Sequence, residues 1–97
     1  MRFMRNKYIV LKNENGLVLS PAANLVKAID HFDASVTIKY SGGEYNAKSI
    51  LGLVSAMVRC GETIEIIVNG QDEENALEVV CDMLEQAWFL SNKTNIV

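Results

Sequence analysis

A chain of 97 residues holds one domain around one core and leaves no room for a second. Its composition, 49% apolar and 22% charged, is that of an ordinary globular protein, and apolar runs such as Ile50-Leu51-Gly52-Leu53-Val54 fall far short of the roughly 20 residues that cross a bilayer. A net charge of −3, with Lys and Arg scattered apart from Arg2, Arg5 and Lys7, excludes nucleic acid as an expected partner.

Residues 7–12 alternate as a half-buried strand does, with Tyr8 and Val10 on one face and Ile9 and Leu11 on the other. Asn13-Glu14-Asn15-Gly16 breaks the strand as a turn. A helix is expected next, with Ser20 as its N-cap and Pro21 at the first helical position, where the missing N–H costs nothing. Ala22, Leu25, Val26 and Ile29 make one apolar stripe along it, and Asp30 and His31 lie off that stripe near its end. Residues 35–40 are rich in β-formers, with Val36, Ile38 and Tyr40 on one side. Ser41-Gly42-Gly43 signals a hairpin into a short strand over 44–47. Ser49 is expected to cap a short helix that runs to about Val58 and stops near Cys60-Gly61. Its stripe is Ile50, Leu53, Val54 and Met57, which leaves Leu51 on the other side. Residues 62–68 form a strand with Ile64, Ile66 and Val68 on one face, and Asn69-Gly70 turns the chain. Three acids, Asp72, Glu73 and Glu74, then suit the positive end of a last helix, whose buried face comprises Leu77, Val80, Cys81, Leu84, Ala87 and Trp88.

The order β-α-β-β-α-β-α predicts an α+β fold, a four-stranded antiparallel sheet with three helices on one face. A ferredoxin-like split β-α-β arrangement is the alternative from pattern alone. The whole chain, 1–97, reads as one domain with its core over 7–90 and a tail over 91–97. The basic start, Met1 to Arg5, leads into no apolar stretch of the kind a signal peptide has, so the chain is expected in the cytoplasm. Cys60 and Cys81 lack metal-ligand spacing, and one histidine cannot complete a zinc site with them. They read as free thiols, and neither a metal nor another cofactor is expected.

Two segments resemble the HPr (histidine-containing phosphocarrier) family of the bacterial phosphotransferase system. Gly16-Leu17-Val18-Leu19-Ser20-Pro21-Ala22-Ala23 is similar to the family's active-site segment, usually Gly-Leu-His-Ala-Arg-Pro-Ala. Asn46-Ala47-Lys48-Ser49-Ile50-Leu51-Gly52-Leu53 is similar to the regulatory serine segment of HPr proteins from Gram-positive bacteria. Gly61 and Gly70-Gln71-Asp72-Glu73 also fall where that family has them, and the spacing between landmarks needs no gap. The resemblance covers about residues 7–90 and implies an HPr-like open-faced β-sandwich.

The departures are specific. The resemblance implies an imidazole that takes a phosphoryl group from enzyme I and hands it to sugar permeases, with an arginine stabilising the phosphate. Here Val18 holds the histidine position and Ser20 the arginine position. Valine has no lone pair with which to attack phosphorus. His31, the only histidine, lies about a dozen residues downstream, roughly 15–20 Å from the helix start at a 1.5 Å rise per residue, and cannot stand in. It reads as a solvated residue near a helix end. Ser20 as a substitute acceptor would need a base that the neighbouring sequence does not offer, and reads more simply as a cap.

Ser49 is the better candidate for chemistry. The resemblance implies its phosphorylation by HPr kinase/phosphorylase, and a phosphate at a helix N-cap gains roughly 0.3–2 kcal/mol from the dipole and free N–H groups. A plain N-cap beside a surface leucine is the other reading. Three functions follow. The first is a regulatory protein similar to the histidine-less catabolite-repression branch of the family, controlled at Ser49 and binding a LacI-type catabolite regulator. The second is a protein-binding module without phosphorylation. The third is a phosphocarrier using another acceptor. The expected partner-binding residues are Val18, Leu19, Ser20, Ile50, Leu51 and Val54. No enzyme activity is expected. Both a monomer and a dimer exchanging its first strand, with Asn13 to Gly16 as hinge, fit the resemblance.

Overall fold

A computed structural model describes residues 4–85. Seven elements follow in the order β1 (Arg5–Val10), α1 (Leu19–Ile29), β2 (Ser35–Tyr40), β3 (Gly43–Asn46), α2 (Ile50–Ser55), β4 (Thr63–Asn69) and α3 (Glu73–Glu85). The strands form one sheet in the order β1-β4-β2-β3, and every neighbouring pair is antiparallel. A ferredoxin-like sheet would set β3 between β1 and β2 and leave β4 at an edge, whereas here β4 lies between them and β3 is at the edge, so that alternative falls.

Strict alternation gives the sheet two unlike faces. Ile9 on β1, Ile64, Ile66 and Val68 on β4, and Val36 and Ile38 on β2 are all buried on one side. The helices close over that side, contributing Ala22, Leu25 and Ile29 from α1, Leu53 from α2, and Ala76, Val80, Cys81 and Leu84 from α3. The other face carries exposed Tyr8 and Lys39 and half-buried Glu65 and Ile67. Between β2 and β3 the two turn residues, Ser41 and Gly42, both have positive φ, the geometry that matches the twist of a tight hairpin.

Several boundaries depart from the sequence reading. β1 begins two residues earlier than expected, because Arg5 pairs with Val68 across the sheet. Helix α1 begins at Leu19, with Val18 in the N-cap position and no side-chain cap. Ser20 is therefore inside the first turn, and Pro21 follows it in that turn. The proline still costs nothing there, since the first four helical N–H groups have no intrahelical acceptor. Helix α2 ends at Ser55, well before Val58. Met57 adopts φ +57°, which turns the chain out of the helix, and its side chain is exposed instead of facing inward. Cys60 is exposed and Cys81 buried, both as free thiols. Ala87, Trp88, the expected tail and Arg2 lie outside the described residues.

The acids at the start of α3 do more than match a dipole. Glu73 is buried, accepts from the Gly70 N–H at 3.0 Å, and lies 3.6 Å from the Arg5 Nε. Asp72 accepts from the Asp33 and Ala34 N–H groups, both at 2.8 Å, tying the α1–β2 loop to the start of α3. The Asp33 N–H is the main reason that the Asp72 carboxyl sits below the usual range, with the Ala34 N–H adding to it. Glu62 is lowered first by the Tyr40 hydroxyl, which donates to it at 2.5 Å, and then by the Arg59 N–H. A carboxyl depressed in the folded state supports folding above its unfolded pKa, and that support is lost as pH falls through the folded value. Stability should therefore decline on acidification from the ordinary values of 4.5 for Glu62 and 3.8 for Asp72 downward. Urea titrations across this range should show a flatter acid limb for an Asp72→Asn, Glu62→Gln variant. An acid limb unchanged by the two substitutions would refute the assignment.

Candidate functional site

The two segments singled out in the sequence meet on the helical layer. The first enters α1. Leu17 is fully buried and donates its N–H to the Val58 carbonyl at 2.9 Å, which ties the start of α1 to the turn that follows α2. Gly16 has φ +84° at this join, and a Cβ on it would come within 2.5 Å of the Val58 oxygen. Only a residue without a side chain fits a left-handed position pressed against backbone. Beyond Leu17 the chain surfaces. Val18 is 45% exposed and Leu19 65% exposed, and Ser20 is also at the surface.

The second segment enters α2. Asn46 sets the turn, its side-chain oxygen accepting from the Lys48 N–H at 2.9 Å and its carbonyl from the Ser49 N–H at 3.0 Å. Ser49 then caps α2, its Oγ accepting from the Gly52 N–H at 3.0 Å. That bond uses a lone pair and leaves the hydroxyl proton free to donate. Gly52 lies close over the serine, so a Cβ there would sit 3.3 Å from the Oγ. With only six residues, α2 offers a phosphate less dipole than the longer helix the sequence suggested.

Helices α1 and α2 pack against each other, which brings the expected partner-binding residues onto one layer. They are not equivalent there. Ile50 and Val54 are half-buried and pack against the core, whereas Leu51 is 81% exposed. Met57, 75% exposed and next to the Leu17–Val58 bond, joins Val18, Leu19 and Leu51 as a fourth outward apolar residue. Its exposure depends on the left-handed backbone at that residue, and hydrophobic periodicity carried no signal of it.

Val18 and Ser20 put no histidine at the start of α1. His31 lies beyond the far end of the helix, exposed, its ring 4.2 Å from that of Phe32. Eleven residues put about 16 Å of helix between the two ends, at 1.5 Å each. Among the described residues, no three His, Cys, Asp or Glu side chains group as a metal site would require. None of their helices is long and apolar enough to cross a membrane.

Residues 6–86 match the model for the PTS HPr component phosphorylation site. The chain belongs to the HPr family. Among similar HPr-family proteins is the HPr-like protein Crh of Halalkalibacterium halodurans, 36% identical over 83 residues, a span of 86% of this chain and 99% of that one. The phosphocarrier protein HPr of Bacillus anthracis superposes with a TM-score of 0.80 at 36% identity, covering 84% of this chain and 96% of its own. The catabolite repression protein Crh of Bacillus subtilis, whose crystal structure is described as a domain-swapped dimer, superposes with a TM-score of 0.65 at 34% identity, covering 77% and 87%. The family comprises phosphocarrier and regulatory proteins, not enzymes in the usual sense, and this chain is an HPr-fold protein resembling Crh.

Proposed function

We propose that this HPr-fold protein is a regulator unable to relay phosphate through a histidine. Phosphorylation of Ser49 by HPr kinase/phosphorylase controls it, and it acts in the cytoplasm by binding a LacI-type regulator of carbon catabolite control. The observation that carries the reading is a contrast. A hydrocarbon, Val18, stands where the family has its nucleophile, while the serine segment remains whole, with Ser49 capping α2 beside an 81% exposed Leu51. In the modification, the Ser49 Oγ forms a bond to the γ-phosphorus of ATP. The bond from that phosphorus to the β–γ bridging oxygen breaks, ADP leaves, and the hydroxyl proton passes to a base of the kinase or to water.

The family's arginine position holds Ser20, so a partner that anchored a carboxylate there would lose a bidentate donor. The exposed residues Val18, Leu19, Leu51 and Met57 favour a contact built on apolar area. They equally support a second reading, a binding module that works without phosphate. In a dimer, β1 is the strand that the connection over residues 13–16 would let exchange, and the Crh of Bacillus subtilis is described as a domain-swapped dimer.

Incubation with HPr kinase/phosphorylase and ATP should add one phosphate to the wild-type chain and none to Ser49→Ala, read by intact mass. The phosphorylated chain should bind the regulator in a titration, and Leu51→Asp should weaken that binding at least tenfold, the worth of an apolar contact residue near the centre of an interface. An unmodified mass beside a fully modified ordinary HPr would end the first reading. Partner binding that is equal with and without phosphate would select the second.

A further inference from the structure

One polar chain of contacts starts beside Ser49 and ends at another helix. The Lys48 ammonium donates to the carbonyl oxygen of Phe32 in the α1–β2 loop. The N–H on the other side of that same peptide plane belongs to Asp33, and it donates to the Asp72 carboxylate at 2.8 Å. Asp72 also takes the Ala34 N–H at 2.8 Å, and its carbonyl accepts the Ala76 N–H at 3.0 Å in the first turn of α3. A peptide group is rigid and planar, so its oxygen and its N–H cannot be released independently. Lys48 and Asp72 hold the Phe32–Asp33 peptide from its two sides.

We propose that Lys48 is a transferable latch: its ammonium holds the Phe32 carbonyl while Ser49 is free, and moves to the phosphate once Ser49 carries one. This coupling rests on Ser49 being the modified residue. A phosphoserine brings a charge of about −1.5 to −2 and three acceptor oxygens, against one neutral carbonyl oxygen. The bond to the carbonyl is charge-assisted from one side only, and the phosphate adds a direct attraction between opposite charges. Lys48 and Ser49 are consecutive residues, and the four-carbon lysine stem lets the ammonium change partner without a backbone shift. Its departure frees one side of the Phe32–Asp33 peptide. It also takes away a positive charge that helps keep Asp72 ionised. Modification at the start of α2 is thereby felt in the α1–β2 loop and at the first turn of α3.

The test uses full-length protein with phosphoserine introduced directly at position 49 by codon suppression, in the wild-type chain and in Lys48→Met. Hydrogen exchange of the Asp33 and Ala34 amides is then compared in the four proteins. Phosphoserine should speed exchange about fivefold in the wild-type chain, the effect of one weakened hydrogen bond. Lys48→Met should show the same acceleration without phosphate, and phosphoserine should add nothing to it. A second measurement needs no substitution at Lys48: its side-chain ammonium resonance should shift on phosphorylation while that of Lys39, on the far face of the sheet, stays put. Equal acceleration by phosphoserine in both backgrounds, or an unmoved Lys48 resonance, would overturn the latch. Because no kinase is used, a chain that the kinase ignores would count against the proposed function and not against this coupling.

Discussion

Val18→His should give this chain an acid-labile phosphate from phosphoenolpyruvate and enzyme I, where the wild type takes none. The position is favourable for the substitution. Val18 is the N-cap of α1, 45% exposed, and is not one of the buried core residues, so an imidazole can be placed there at the surface. The first N–H groups of an eleven-residue helix lie just beyond it without intrahelical acceptors, ready to bind the phosphoryl oxygens. What the wild type lacks is a lone pair, and no arrangement of hydrocarbon supplies one. Adding Ser20→Arg should raise the rate further, by about 10–100-fold, the value of one charged hydrogen bond of about 1.5–3 kcal/mol to the transferred group. Transfer of labelled phosphate, followed by its loss in acid, reads both variants. If the double variant stays unlabelled, the surface that enzyme I recognises has been lost along with the nucleophile.

Gly16→Ala should be the most damaging single-methyl change at the site. The left-handed backbone alone costs an L-residue about 1–2 kcal/mol. The added carbon would also lie 2.5 Å from the Val58 oxygen and 3.2 Å from the Arg59 Cα, both backbone atoms that cannot swing aside. Relief would stretch the Leu17–Val58 hydrogen bond, worth about 1 kcal/mol, and pull fully buried Leu17 from the core. A loss of about 2–3 kcal/mol follows, seen as a melting temperature lower by roughly 10–20 °C. The same variant should move Val18 and Met57 apart and weaken partner binding by more than its stability loss explains. A melting temperature within 2–3 °C of wild type, given that about 4–8 °C corresponds to 1 kcal/mol in a domain this small, would show that the join yields more easily than its geometry implies.

Much of this architecture was legible because alternation and helical stripes are strong signals in a two-layer fold. Ile64, Ile66 and Val68 in β4, and Ala22, Leu25 and Ile29 in α1, stood out by period alone, and all six are fully buried or nearly so. The helix ends were harder. Ser20 is a favoured capping type, yet the cap is Val18, because the Leu17–Val58 bond sets where the chain turns into the helix. Local preference lost to a long-range contact. The same happened at the end of α2, where Gly61 looked like the stop and Met57 turned the chain first. The apolar residues of the candidate site were readable except for Met57, whose outward turn depends on backbone. The Lys48–Phe32–Asp72 chain of contacts left no trace in the sequence, since its partners are separated by 16 and 39 positions.

The sheet face without helices has a practical use. Tyr8 and Lys39 stand there in solvent, with the whole thickness of the sheet between them and the Val18, Leu19 and Leu51 surface. A fluorophore or a surface tether attached at either one leaves that surface free, so immobilised protein can be screened for partners in its working orientation. Attachment through the N-terminal turn of α1 or through α2 would hide the very residues being tested.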